Sequence, residues 1–327
     1  MINMKTKAIR INEYGGPEVL NYTEIELPEL QSGEARIFHT AIGLNFIDTY
    51  HRSGLYPMPL PAGLGSEAAG IVEEIASDVS TVKVGDRVVY TGRPADSYSE
   101  RRNFDANQLV PIPDGISDEQ AAALLLKGLT AWYLLNKSYP VRSGEHILLH
   151  AAAGGVGLIA CQWAKYLGAK TIGVVSTSEK ANLAKIHGCS ETIMANEDIA
   201  EQVKSITNGE GVAAVYDSIG RDTFFSSLNS LKPHGVMVTF GNASGPVDPF
   251  APSELASRNS LYVTRPILAH FINTREKLLD ASKTLFDLVL QGVIKISINQ
   301  RYALKDTAQA HMDLESRKTT GSTILIP

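Results

Sequence analysis

The chain has 327 residues, 44% of them hydrophobic and 20% charged, with 30 basic against 35 acidic side chains. At about 150 residues per domain that length predicts two domains, each able to bury a core, and the hydrophobic content excludes large-scale disorder. The net charge of −5 excludes a general pull toward nucleic acid or an anionic membrane.

Two cysteines, Cys161 and Cys189, are too few for a disulfide scaffold or a four-thiolate zinc lobe, and they fit a reducing compartment. Residues 1–7 lack the apolar stretch of a signal peptide, and no uncharged apolar run nears the roughly 18 residues that span a bilayer. The expectation is a soluble, cytoplasmic protein.

The first third reads as short strands joined by turns. Residues 5–11 alternate, 35–41 and 68–75 are strand-like, and 82–90 set a Gly85-Asp86 turn between apolar ends. Gly15-Gly16-Pro17 and the prolines Pro57, Pro59 and Pro61 punctuate this region. A compact, partly antiparallel β domain is predicted. At Ser117 the rhythm changes: Ser117 followed by Gln120 is a capping pattern, and the Ala/Leu run behind it predicts a helix.

From His146 strands and helices alternate. Strands are predicted at 146–151, 170–175, 212–217 and 235–240, with helices at 158–167 and 179–187, which is the pattern of a parallel sheet covered on both faces. After Arg265-Pro266 comes a long helix over 274–291, then a strand and a polar tail expected to return to the first domain. The strand at 261–263 fits pairing across a dimer axis and equally burial inside one subunit.

The segment His146-Ile147-Leu148-Leu149-His150-Ala151-Ala152-Ala153-Gly154-Gly155-Val156-Gly157 carries the chemistry. A buried strand runs into a glycine turn and a helix begins at once. Glycines let backbone N–H groups approach a pyrophosphate, and the helix amino terminus adds partial positive charge. Strand, turn and helix in this order predict a dinucleotide site. An NAD site places Asp or Glu about 20 residues further on, against the ribose hydroxyls. Here that position holds Ser176-Thr177-Ser178-Glu179-Lys180. Small hydroxyls and a lysine accept a 2′-phosphate that a carboxylate would repel, so NADPH is favoured over NADH. Glu179 is expected to face away, and a solvated Lys180 is the alternative.

At these residues the chain resembles a known family. Gly144-Glu145, Leu148, Ala152-Ala153-Gly154-Gly155, Gly157, Gln162 and Lys165 are spaced as in quinone oxidoreductases of the zeta-crystallin type, zinc-free members of the medium-chain dehydrogenase/reductase superfamily. The resemblance extends along the chain. It includes Gly15-Gly16-Pro17-Glu18-Val19-Leu20, Asn45-Phe46-Ile47-Asp48-Thr49-Tyr50, Arg52-Ser53-Gly54-Leu55-Tyr56-Pro57 and Leu126-Lys127-Gly128-Leu129-Thr130. Residues 260–266 and Glu315-Ser316-Arg317 belong to it too.

What the resemblance implies is an α/β fold: a GroES-like β domain at 1–127 and 269–327, a Rossmann doubly wound parallel-sheet domain at 128–268, a cleft between them, and a homodimer. It implies that Asn45, Asp48 and Thr49 lie near the nicotinamide, that Gly155 and Val156 meet the pyrophosphate, and that Thr130 and Gly154 also bind the cofactor. Ser176, Lys180 and Arg317 would surround the 2′-phosphate, and Ser218, Phe240, Gly241, Asn242 and Arg265 would follow later strands. Ala195, beside a one-residue gap, stands where a bacterial member of the family carries a tyrosine near the adenosine phosphate, so phosphate selectivity is expected to be weaker or to rest mainly on Lys180 and Arg317.

No catalytic metal is expected. Zinc relatives place Cys at the Asn45 position and a His-Glu pair at Ser66-Glu67, and no closed set of soft or imidazole ligands exists here. His146 and His150 lie on the strand entering the glycine turn, where a structural role is expected. A quinone is electron-poor and delocalises incoming charge, so a flat apolar slot suffices. Tyr50 and Tyr56, with Ile47, would wall that slot, with Asn45 beside it; simple packing is the equal reading of both tyrosines. His51 is expected at the surface, Cys161 in the core. Three functions follow: NADPH:quinone reductase first, reductase of an activated carbon–carbon double bond (enal, enone or enoyl thioester) second, and a non-enzymatic NADPH-binding protein third.

Overall fold

The computed structural model describes residues 4–327; the first three residues of the segment read for a signal peptide lie outside it. Among the described residues no helix is long and apolar enough to cross a membrane. The chain divides into two compact units. One runs through Lys127 and adds Ile272–Leu290 and Ile296–Pro327; the other comprises Gly128–Phe271 and Gln291–Lys295. The division expected from the sequence fell after residues 127 and 268, without the short return of 291–295.

The first unit is β-rich. Its larger sheet has the strand order Ile298–Ala303, Ser322–Ile326, Glu34–Leu44, Glu67–Ile75, Arg87–Thr91, Val110–Pro111, with Arg101–Asp105 pairing Glu34–Leu44 off this path. Every pair is antiparallel except that of the two strands nearest the carboxyl terminus, which is parallel. The tail thus returns to this unit, its strand Ser322–Ile326 pairing with Glu34–Leu44. A three-stranded sheet, Asn21–Glu26, Lys5–Ile11, Ala62–Gly63, completes it. Alternate residues of these strands, among them Ile9, Ile11, Ile37, Ile42, Val72 and Val88, meet Tyr90, Tyr98 and Phe104 in one core. Of the apolar stretch 82–90 only Arg87–Thr91 is strand, because Gly85 turns at φ +90°.

The second unit holds six strands, all parallel, in the order Glu191–Met194, Lys170–Val175, His146–Leu149, Val212–Asp217, Leu231–Thr239, Tyr262–Thr264. Numbered along the unit this is 3-2-1-4-5-6, the doubly wound order of dinucleotide-binding folds. Both faces are covered, so these strands read as continuous apolar runs rather than alternating ones. Val212–Asp217 is buried at every residue. Leu148, Ile172, Val174, Val215, Met237 and Phe224 share its core. The order reverses between His146–Leu149 and Val212–Asp217, which puts a crevice at the carboxyl ends of those two strands.

Candidate active site

The glycine turn leaves His146–Leu149 through Ala151 (φ 52°), and the following helix, Gly155–Tyr166, starts on Gly155 itself, three residues earlier than the apolar pattern suggested. A Cβ on Gly157 would stand 2.3 Å from the Ala151 carbonyl oxygen and 2.6 Å from that of Ala152, so glycine alone fits there. Gly154 occupies the N-cap position and no side chain caps this helix. The first N–H groups of an α-helix have no intrahelical acceptor, so those of Gly155 and Val156 are donors for an anion. These residues fit a dinucleotide pyrophosphate.

One strand over, Lys170–Val175 ends at exposed Ser176. Thr177 caps the helix Ser178–Ile186, its hydroxyl accepting the Lys180 N–H at 3.3 Å. Lys180 is thereby fixed in the first turn. Glu179 is exposed, and hydrogen bonds to its own backbone and to Thr177 hold its carboxyl below the usual range. Ala195 is exposed, its N–H donating to Val175 O at 2.8 Å.

On the other side of the reversal, Ser218 follows Val212–Asp217, and Phe240, Gly241 and Asn242 follow Leu231–Thr239. Ser218 O accepts Ala243 N–H at 3.2 Å. A Cβ on Gly241 would sit 2.3 Å from Ser218 O, so these two loops touch backbone to backbone. Arg265 donates to Gly241 O at 2.9 Å and to Thr239 Oγ1 at 3.2 Å. The structure brings Ser218, Gly241 and Arg265 together around the ends of neighbouring strands. Thr130, half-buried, lies on the helix Asp118–Tyr133 in its second-unit portion.

In the first unit, Asn45 begins the helix Phe46–Ser53. Its N–H donates to Asp48 Oδ2 at 2.9 Å, while its amide Nδ2 donates to Glu67 Oε2 at 2.9 Å and to Gly43 O at 3.3 Å. Glu67 is fully buried and also accepts the Leu126 N–H at 2.6 Å. Lys127, itself buried, brings its ammonium to 3.5 Å from Glu67 Oε2, an ion pair rather than a hydrogen bond. Burial pushes the Glu67 carboxyl up, and the Lys127 charge works against that rise.

Asp48 does not line a surface. Its side chain is fully buried, and its carboxylate also receives hydrogen bonds from Ser66 Oγ (2.7 Å) and Tyr98 OH (2.8 Å). Burial outweighs these donors and lifts it to about 6. Arg52, buried four residues further on, makes two bonds to Glu315 (2.8 and 2.9 Å) and one of 3.0 Å to His311 Nδ1. An arginine only donates, so His311 Nδ1 accepts and its proton sits on Nε2, which donates to Tyr98 OH at 3.1 Å. Hydrogen bonds therefore run one way, from Arg52 through His311 and Tyr98 to Asp48.

Thr49 is buried with its hydroxyl on Phe46 O at 2.7 Å. Tyr50 and Tyr56 come together, ring centroids 5.2 Å apart at 70°, with Phe46 5.6 Å from Tyr50. Arg317, exposed, stands at φ 60° in the first unit, just past the helix Thr307–Glu315. The expectation for His51 is corrected. It is 3% exposed, and burial together with the Arg93 charge lowers it to about 4. His150 is likewise buried.

Sequence reasoning missed Tyr98, His311 and the Glu67–Lys127 pair. A signal for the pair existed: each is a lone charge inside an apolar run, Glu67 in Ser66-Glu67-Ala68-Ala69 and Lys127 after Leu124-Leu125-Leu126. Both cysteines are buried, Cys161 as expected, and their thiols interact with each other.

Residues 31–114 match the alcohol dehydrogenase GroES-like domain family and 155–285 the zinc-binding dehydrogenase family. A quinone oxidoreductase of Pseudomonas aeruginosa is 53% identical, covering 98% of this chain and 99% of its own. A 2-haloacrylate reductase of a Burkholderia species is 43% identical over 97% of this chain and 98% of its own. The crystal structure of Escherichia coli quinone oxidoreductase complexed with NADPH superposes with a TM-score of 0.96 at 51% identity, covering 98% of this chain and all of that one.

Zinc, named in one family description, does not fit these residues. Among those described no three His, Cys, Asp or Glu side chains cluster as ligands. The Glu67 carboxylate, the one acidic group where zinc relatives place ligands, is already paired with an ammonium that would repel a dication. A doubly wound sheet, a tight glycine turn at its reversal and relatives more than half identical over nearly the whole length agree: the chain belongs to the quinone oxidoreductases of the medium-chain dehydrogenase/reductase superfamily.

Proposed function

We infer that this chain is an NADPH-dependent quinone oxidoreductase of the zeta-crystallin type, reducing a quinone to its hydroquinone at the expense of NADPH and a proton. The observation that carries the reading is the 3-2-1-4-5-6 parallel sheet with the glycine turn at its reversal and hydroxyls and Lys180, in place of a carboxylate, past its second strand. When bound, NADPH supplies a hydride from its nicotinamide ring.

The chain's own residues bind and orient. Gly154, Gly155 and Val156 hold the pyrophosphate through backbone N–H groups and helix charge. Ser176 and Lys180 receive the 2′-phosphate, with Ala195 making no polar contribution. Ser218, Phe240, Gly241, Asn242, Arg265 and Thr130 fit the nicotinamide half. Asn45, Asp48 and Thr49 serve by fixing the helix Phe46–Ser53, because their polar groups are committed inside the unit. That helix presents Tyr50, whose edge-on pairing with Tyr56 makes a rigid aromatic corner suited to a flat acceptor.

The relative that reduces a 2-haloacrylate favours a second reading, hydride addition to an activated carbon–carbon double bond. Purified protein assayed by loss of reduced-nicotinamide absorbance separates the two. Faster turnover of a benzo- or naphthoquinone than of 2-chloroacrylate or crotonyl-CoA supports the quinone reading, and the reverse order overturns it.

A homodimer is part of the proposal. Tyr262–Thr264 is an edge strand, Tyr262 is 61% exposed, and Ile267 and Phe271 line a cavity of about 450 Å³ beside it. An uncovered apolar edge of this kind calls for a partner, and a second copy presents the same edge. A cytoplasmic setting, with its reduced NADPH pool, fits the two free thiols.

A further inference from the structure

The second unit contains a buried carboxylate that the reading above leaves unused. Asp217 ends the strand Val212–Asp217 and is fully buried. Its Oδ1 accepts the N–H groups of Ile219 (2.7 Å) and Gly220 (3.1 Å). Its Oδ2 accepts the hydroxyls of Thr223 (2.7 Å) and Ser227 (2.8 Å). Four donors converge on one carboxylate, which satisfies an ionised group in the interior.

The protons give the network a direction. Ser227 has one hydroxyl hydrogen, and it goes to Asp217. The 2.9 Å contact between Ser227 Oγ and His150 Nε2 therefore has His150 as the donor, so the buried imidazole carries its proton on Nε2. His150 is the last residue before Ala151 and the glycine turn, and its own N–H donates to Tyr216 O at 3.0 Å.

On its other side Asp217 sets the turn of Ser218, Ile219 and Gly220. That turn sets the next loop: Ile219 O accepts Ser244 N–H at 2.8 Å and Ser244 Oγ at 2.9 Å. One carboxylate thus links the ends of three adjacent strands, first to the residue that opens the glycine turn, then to the loops carrying Ser218 and Gly241.

We propose that Asp217, acting through Ser227 and His150, is the positioning residue that holds the two halves of the NADPH site in register. The inference rests on the assignment of those loops to the cofactor under Proposed function. A misplaced loop weakens cofactor binding without touching the acceptor, so the KM for NADPH is what should respond.

The experiment compares wild type, Asp217→Asn and Ser227→Ala by NADPH titration and steady-state kinetics. Expected is a rise of about tenfold in the NADPH Kd and KM, with the quinone KM within about twofold of wild type. His150→Gln, whose amide can donate in the same place, should recover most of what His150→Leu loses. A folded Asp217→Asn with unchanged NADPH KM overturns the proposal. So does equal change in both KM values, or loss of kcat alone, which would mark a purely structural residue. Where Asp217→Asn fails to fold, the His150 pair decides: His150→Leu and His150→Gln behaving alike overturns it. A wild-type chain that binds no NADPH removes the cofactor reading and this inference with it, and is seen before any variant is made.

Discussion

Tyr98 donates a 2.8 Å hydrogen bond to Asp48 Oδ2 while its oxygen receives one of 3.1 Å from His311. The two partners lie 50 and 213 residues away in sequence, and all three side chains are buried. Removing the hydroxyl strands the His311 Nε2–H donor and takes one of three donors from the Asp48 carboxylate. Tyr98→Phe should therefore cost about 2 kcal/mol of stability, read as a lower urea midpoint with unchanged slope. An unchanged midpoint would show that the network contributes nothing.

Acid should unfold the first unit early. Burial lowers His39 and His311 from 6.5 to about 3, so between those values the unfolded chain takes up protons that the folded one refuses. The stability is complete above pH 6.5 and is lost as pH falls; by pH 5 each histidine costs about 2 kcal/mol. Asp48 acts in the opposite sense. Its folded value of about 6 exceeds 3.8, so it binds a proton first in the folded state and returns about 1 kcal/mol by pH 5. His51, lowered to about 4, costs about 2 kcal/mol more, so the net loss between pH 7 and 5 is about 5 kcal/mol. Urea titrations at the two pH values check it, and equal midpoints would refute it.

Breaking the interior ion pair leaves a charge stranded. Lys127→Met should destabilise by about 3 kcal/mol at pH 8. Without the ammonium the Glu67 value rises further above 4.5, so the variant should regain stability as pH falls toward 4.5 and Glu67 takes up a proton. A deficit independent of pH would mean that packing, and not charge, is what Lys127 supplies.

Cofactor choice should depend on Lys180. Lys180→Ala should raise the NADPH KM by about tenfold and leave the NADH KM nearly unchanged, since only the former carries a 2′-phosphate. Parallel changes in both would remove Lys180 from the phosphate site.

Gly157→Ala should abolish tight NADPH binding, with a Kd increase of at least about tenfold by titration. The added methyl must displace the Ala151 and Ala152 carbonyls, which shape the turn. Wild-type affinity in this variant would show that the turn yields without consequence.

What the sequence disclosed was what is local. The run from His146 to Gly157 announces strand, turn and helix because each signal lies within a few residues of the next. The parallel sheet followed from alternation alone. The interior of the first unit did not disclose itself. His51 reads as a surface residue on a polar segment, and only Arg93 and the Tyr56 ring, 6.1 Å away, reveal its burial. Glu67 and Lys127 stand out as misplaced charges, yet their pairing closes a span of 60 residues that no periodicity encodes. Asp48 was placed by resemblance at a ligand surface. Besides local Asn45, its carboxylate is held by Ser66 and Tyr98, 18 and 50 residues away in the chain, contacts that exist only after the unit has folded.

The two cysteines have a further significance. Quinones are electrophiles as well as oxidants, and they add readily to thiolates. Cys161 is fully enclosed and Cys189 only 5% exposed, each turned toward the other. A catalyst that meets reactive oxidants at every turnover therefore keeps both of its thiols inside the packing of its helices and strands.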